Sequence, residues 1–481
     1  MARFPGFVGP TYALRSLNAD AQRCMNWYPE AIESGTGKSP AGLNPTPGLK
    51  LFSTLAGPSV RGLHCIKGRL FATSGPKLYE IDSAGTATER GTVAAGSALD
   101  SITSGPSHLL IVSGNVAYSY VLATNTLAAI STLLGTPKLA GFLDGYFIML
   151  LANSRQFQIS ALLDPTSWDP LDTTIISVFP DNVETMVVDH REMAFFGEKQ
   201  SVFYYDSGNA DFPFDVRLES FMEQGGLGTF GAQKLDNSIF WLGESDRGGS
   251  IAWRAEGYRP QRISTHAIEQ AWEGYTVKDD VRTYTYEQDG HAFWVVLFPT
   301  ANAMWVFDSA TGLWHERGKW NTVTSAFDAH RSQCHAYCFG KHLVGDHASG
   351  NVYELDVNTH TDNGEVLRRM RRAPHLSAEN KWLYHKELEI DMEVGLGPIP
   401  PLTDMAGNPR DPKLMLRWSN DGAKTWGNTY EIDAGKAGEY KTRVRKQRLG
   451  RARDRVYEVA VTDAVPWRIA DAYLDAEAGT S

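Results

Sequence analysis

One unit recurs along this chain: a short apolar strand, a turn of small residues, and a second strand rich in aromatics. A repeat of that length admits few folds. Its clearest copies run from Leu70 to Asp82, Leu110 to Tyr120 and Leu343 to Asp356. Weaker copies turn near Asn153, Glu198, Gly249 and Asn302. The seven turns from Gly75 to Gly350 are about 46 residues apart on average, the length that one four-stranded propeller blade needs. Seven blades fit best, and six also fit. Within each unit the apolar residues alternate or run in short blocks bounded by Gly, Asn, Asp and Pro, as antiparallel hairpins do. The expected fold class is all-β, a β-propeller followed by a β-sandwich.

Composition agrees where it bears on this. The 481 residues exceed one core and call for a large domain with a smaller one. The 45 Gly and 23 Pro supply turns, and 13 Trp, 19 Tyr and 21 Phe suit strands. Residues 1–50 fall outside the repeat and hold Pro5, Pro10, Pro29, Pro40, Pro45 and Pro47, so an extended N-terminal arm is expected there. Such an arm could lie along a neighbouring subunit or supply a strand that closes the propeller, and both readings stay open. The propeller is placed at 51–362. From 363 to 481 the strands lengthen (382–392, 413–418, 455–462), which suits a sandwich. The loop 395–412, with five prolines and three glycines, should be exposed.

No apolar run suits a signal peptide or reaches a membrane span, so a soluble protein made in a cytoplasm is expected. Cys24, Cys65, Cys334 and Cys338 are too few and scattered for a disulfide framework; reduced core cysteines are expected. The net charge of −10 argues against general nucleic-acid binding. From Val366 onward, however, 20 Lys+Arg face 17 Asp+Glu, a net of +3, which leaves −13 for residues 1–365.

Three motifs tempt a chemical reading. Gly226, Gly228 and Gly231 match dinucleotide-binding spacing, but a β-like segment, Ser238 to Leu242, follows them, so a turn between blades is expected. Cys334, His335 and Cys338, with His330, His342 and His347 nearby, offer zinc-type ligands. In a strand, though, Cys334 and Cys338 point opposite to His335, so these residues should not converge. Ser419 to Trp426 resembles the Asp-box hairpin of sialidase-like propellers, with Ala423 where a second Gly is usual, and reads as a structural turn. Serine-elbow, phosphate-loop and His-Glu-x-x-His motifs are missing. Accordingly no catalytic, cofactor-binding or metal residue is expected and no enzyme activity.

Two basic clusters stand out: Arg368, Arg369, Arg371 and Arg372, and then Lys441, Arg443, Arg445, Lys446, Arg448, Arg451, Arg453 and Arg455. Alternation puts Lys441, Arg443 and Arg445 on one strand face. A solvated face paired across strands, a protein interface and a nucleic-acid contact are the three readings.

The N-terminal run from Ser16 through Asn18, Asp20, Arg23, Cys24, Asn26, Trp27 and Tyr28 to Glu30, followed by Pro45 to Leu49, resembles the opening of the packaged-DNA stabilisation proteins of short-tailed bacteriophages. So do Arg369 to His375, Leu388 to Gly395 and Leu449 to Arg455, in that order. The resemblance implies a structural tail hub or nozzle, a homohexamer below the portal and its head-to-tail adaptor ring. Such a hub would help retain packaged DNA, dock a tail needle or plug and tailspikes or fibres, and let DNA pass during ejection without sequence-specific binding. It would sit in the virion tail after assembly in the host bacterial cytoplasm. Candidate assembly-interface residues are Asn18, Asp20, Arg23, Trp27, Tyr28, Arg368, Arg369, Arg371, Arg372, His375, Arg443, Arg445, Arg448, Arg451, Arg453 and Arg455. The alternative is a carbohydrate-binding or glycan-hydrolysing propeller, since exposed aromatics stack on sugars and propellers offer axial pockets.

Overall fold

Alternating and block-apolar segments pair into seven four-stranded antiparallel sheets arranged as a propeller in this computed structural model, which describes residues 1–34, 36–244, 249–398, 400–404 and 406–479. Blade one is Val60–Ile66, Arg69–Ser74, Lys77–Ile81 and Ala87–Thr92. Blades two to six follow in order, beginning at Ser101, Pro137, Val183, Ala232 and Arg282. The second strand of each blade is buried on both faces between neighbouring blades, which is why Tyr146–Leu151 and His291–Phe298 read as nearly continuous apolar runs. First and second strands meet in tight turns such as Asp144-Gly145 and Asp289-Gly290, with both residues at positive φ as hairpin turns of this kind require. The seven turns read from the sequence share one position, between the second and third strand of a blade; in blade five, residues 245–248 lie outside the described residues.

Ring closure uses the N-terminus. Blade seven takes Ser332–Cys338, Lys341–Asp346 and Asn351–Asp356 from the end of the repeat, and its outermost strand is Gly48–Thr54. Residues before Gly48 differ from the extended arm expected. Ala2–Arg3 pairs with Ile469–Ala478, Ala21–Met25 pairs with Arg369–Arg372, and Trp27–Ala31 forms a hairpin with Ala41–Pro45. The cause is apolar: Phe4, Phe7, Cys24, Trp27 and Leu43 are all buried in the sandwich core. Pro29 is tolerated because its strand is the edge of the sheet.

A belt of side-chain bonds ties the inner strands around the axis. His64 bonds Ser104, Ser101 accepts from the Ala140 N–H, and Lys138 donates to the Val183 carbonyl. Thr185 donates to Thr229, Thr283 to Phe230, Tyr284 meets Ser332, and Gln333 donates to Val60. Between blades one and two, Arg61 pairs with Asp100 at 2.6 Å, both about 1% exposed. Burial pushes Asp100 up to about 6 even though Arg61 opposes it. At the seam between blades seven and one, Cys65 and Cys338 form a disulfide with Cα atoms 5.8 Å apart. This corrects the expectation of reduced cysteines. Residues 273 apart in sequence become neighbours only when the ring closes. Cys24 and Cys334 are free thiols.

The sandwich has one sheet of Leu383–Met392, Val444–Ala452 and Ile469–Ala478, extended by the N-terminal hairpin. The other contains Arg369–Arg372, Asp454–Val461, Lys413–Ser419 and Tyr430–Asp433. Tyr457, Val459, Val461, Leu388, Ile390 and Trp467 fill the space between them. Ala21–Met25 also meets the outer strand of blade six, so this second sheet runs on into the propeller. In the loop 395–412, Leu402–Thr403 pairs with Pro409–Arg410, while residues 399 and 405 lie outside the described residues.

Candidate functional site

The sixteen sequence-picked residues divide by burial. Trp27 is fully buried and donates its indole N–H to the Trp467 carbonyl, and Tyr28 packs edge-on to Phe293 and His291. Arg369, Arg371 and Arg455 are no more than 1% exposed. These five correct the interface assignment, because side chains enclosed by their own chain cannot reach a neighbour's surface. Arg371 donates to the carbonyls of Phe7, Pro10 and Gly6 and to Gln22 Oε1 at 2.6–2.8 Å, clasping the N-terminal segment to the sandwich. Arg455 bonds Asn420, the Leu449 carbonyl and Tyr457. Arg369 reaches the Thr46 carbonyl and faces Asp362, whose carboxyl burial raises to about 7.

Arg23 and Arg368 serve the junction between the two domains, and the rest bond within the sandwich and the N-terminal segment. Arg23 makes two bonds to Glu316 of blade six, and this carboxylate raises its pKa. Arg372 and Arg417 share Glu458 and both stack on Trp426. Arg368 lies over Trp320 at 4.3 Å, and His375 bridges Asp454 and the Leu17 carbonyl. Asp20 accepts from Gln22, and the Asn18 side chain sits where a Cβ on Gly422 would clash.

Of the second cluster, all but Arg455 stay wholly or partly at the surface, and these split again. Arg443 bonds Glu389 and Arg445 bonds Glu387 across the sheet, in the manner of a solvated paired face. Arg448, Arg451 and Arg453 are exposed and have no carboxylate within ion-pair distance among the described residues. Arg451 and Arg453 stack on Trp382 at 4.5 and 5.1 Å, and Tyr384 lies beside them. Sequence reading overlooks Trp382, since nothing in a linear pattern joins it to arginines 69 or more residues on.

The motifs resolve as structural. The three glycines of 226–231 lie between blades four and five, where Gly226 donates to Gly197 and Leu227 to Leu242. Asp421 accepts from Ser419, Lys424 and Thr425, and these bonds hold it well below the usual carboxylate range. Cys338 is in the disulfide, His335 stacks on His342, and His330 bonds Ser332. Among the described residues no group of three or more His, Cys, Asp or Glu could hold a metal ion. The axial cavity of about 730 Å3 is polar, and its Thr185, Gln233 and Thr283 are the belt that joins the blades. No helix among the described residues is long and apolar enough to cross a membrane.

Two family models match. "Bacteriophage P22 Gp10, beta-propeller" covers residues 21–360, and "Bacteriophage P22 Gp10, beta-sandwich" covers 368–477. No curated protein matches the chain. Among solved structures, the N-terminal domain of Nup159 is similar over 72% of this chain and 99% of its own, at 11% identity and a TM-score of 0.36, a likeness that carries no argument.

Proposed function

Because the chain belongs to the bacteriophage P22 Gp10 family, a family of phage structural proteins, and is a virion component of the kind that stabilises packaged DNA, we propose that it is the tail hub. In this reading copies form a ring, a homohexamer, below the portal and adaptor, after assembly in the host cytoplasm. The ring retains the genome and docks a needle, spikes or fibres. No catalytic step is assigned to it. The observation that carries the reading is that both family models match one chain, propeller before sandwich, and that the two domains are joined by Ala21–Met25 into a continuous sheet.

A net charge of −13 over residues 1–365 fits a conduit that does not hold DNA, if those acids face the lumen. Asn18, Arg443, Arg445, Arg448, Arg451 and Arg453 are the exposed members of the candidate set, open to another subunit. The test is electron microscopy of the protein alone and mixed with a portal–adaptor complex. Six-fold rings docked on the adaptor support the reading; monomers that ignore the adaptor refute it and favour the glycan-binding alternative.

A further inference from the structure

Two exposed surfaces of opposite character belong to different parts of the chain, one to the sandwich and one to blades three and four. The first is the sandwich edge. Val444–Ala452 ends its sheet, pairing on one side only. Its ladder is broken by a bulge: Gln447 faces Glu387 and Gly450 faces His385, so Arg448 and Leu449 together oppose the single residue Lys386, and Arg448 has φ +60. A bulge spoils an edge for strand addition and turns side chains outward. What this edge offers is therefore side chains: Arg448, Arg451 and Arg453 without carboxylate partners, two of them stacked on Trp382. A guanidinium that lies over an indole still has N–H groups left to meet a carboxylate.

The second patch is the outer rim of blades three and four. In blade four the outer strand Phe214–Met222 loops out: Ser201 faces Met222 and Phe203 faces Arg217, so residues 218–221 oppose a single residue. Leu218 is left 74% exposed and Phe221 39%. The matching part of blade three leaves Leu171 86% and Ile175 50% exposed. Leu171, Ile175, Leu218 and Phe221 are thus four large exposed hydrophobics on or beside the outer strands of these two blades. The same two blades carry Asp169, Asp206, Asp211 and Asp215 in or next to their outer segments, none with a cation at ion-pair distance among the described residues.

The sandwich is attached to blades six and seven, through Ala21–Met25 and Gly48–Thr54. In a seven-bladed ring, blade seven faces the gap between blades three and four across the axis. One patch is basic and aromatic, the other acidic and apolar. They cannot meet within one chain, and their separation fits head-to-tail contact, the kind of interface that closes rings. We propose that the Arg448, Arg451, Arg453 and Trp382 edge of one copy docks on the blade three and four rim of a second copy. The chain's own excess of acid over base favours that occupant over nucleic acid. This deepens the ring reading and rests on it for closure, but the pairwise contact can be read by itself.

The experiment uses the full chain in sedimentation velocity at low and high salt. One variant carries R448E, R451E and R453E; another carries D206K, D211K and D215K; unchanged melting of each shows that it folds. Wild type should self-associate at low salt and disperse at high salt, and each variant should associate at least about tenfold more weakly. Mixed together, the variants present one intact face each and should associate again, at least to a dimer. Wild type that stays monomeric, variants that assemble like wild type, or a mixture without dimer overturns the proposal. So does arginine-dependent binding of double-stranded DNA by the wild-type chain, which would assign the edge to phosphate. If the arginine variant still forms rings on the portal–adaptor complex, this interface fails while the hub reading stands.

Discussion

Replacing Arg371 by Met should detach the first 25 residues from the sandwich before anything else unfolds. Arg371 makes four bonds of 2.6–2.8 Å to acceptors at Gly6, Phe7, Pro10 and Gln22, with its side chain wholly buried. A hydrogen bond from a charged donor contributes about 1.5–3 kcal/mol, and the simple sum, about 6–12 kcal/mol, overstates the loss because burying the guanidinium itself costs several kcal/mol. Methionine keeps the stem's packing and strands the carbonyls, so a loss of about 3–5 kcal/mol in the sandwich transition is expected. Lysine, a point charge without the planar fork, should recover only part of it. Guanidinium unfolding followed by tryptophan fluorescence measures the loss. Limited trypsinolysis should show faster cleavage after Arg3, Arg15 and Arg23. A change under about 1 kcal/mol with the N-terminus still protected would refute the clasp.

Two further outcomes follow from buried groups. Cys65→Ser, which opens the bond between blades one and seven, should lower stability by about 2–5 kcal/mol, because the loop it closes spans 273 residues; calorimetry with and without reductant checks this, and equal melting of both would sink it. Asp362 is raised to about 7 by burial, with Arg369 opposing and Arg331, Glu365 and Lys319 also acting on it. The folded chain therefore keeps a proton that the unfolded chain releases near the ordinary value of 3.8. Its contribution is full below about pH 4 and is lost as pH rises toward about 7, at no more than about 1.4 kcal/mol per pH unit. Asp362→Asn should flatten the denaturation midpoint over that range, leaving the smaller slope of Asp100, and an unchanged slope would contradict the burial argument.

Local geometry was legible in the sequence, and distant pairing was not. Turn residues and alternation act over a few positions, so the 46-residue spacing marked one turn of every blade, and the resemblance placed propeller before sandwich. By contrast, Gly48–Thr54 could have closed the ring or reached a neighbour, since both satisfy the same strand pattern; its pairing with Asn351–Asp356 depends on the whole ring. Residues 1–50 read as an extended arm because prolines dominate a local reading, yet Phe4, Phe7 and Trp27 bury in a core built mostly from strands more than 300 residues on.

The arginines show the same limit. In sequence Arg371 and Arg451 are equivalent cations, and density alone suggested an interface. Enclosure by Gly6, Phe7 and Pro10 made one a clasp, and an edge bulge over Trp382 left the other free. The sequence by itself determined strand, turn and repeat, which depend on neighbours in the chain. Only the tertiary structure decided which charges are buried and which face outward, because a charge's cost and its partner depend on what folding brings around it from elsewhere.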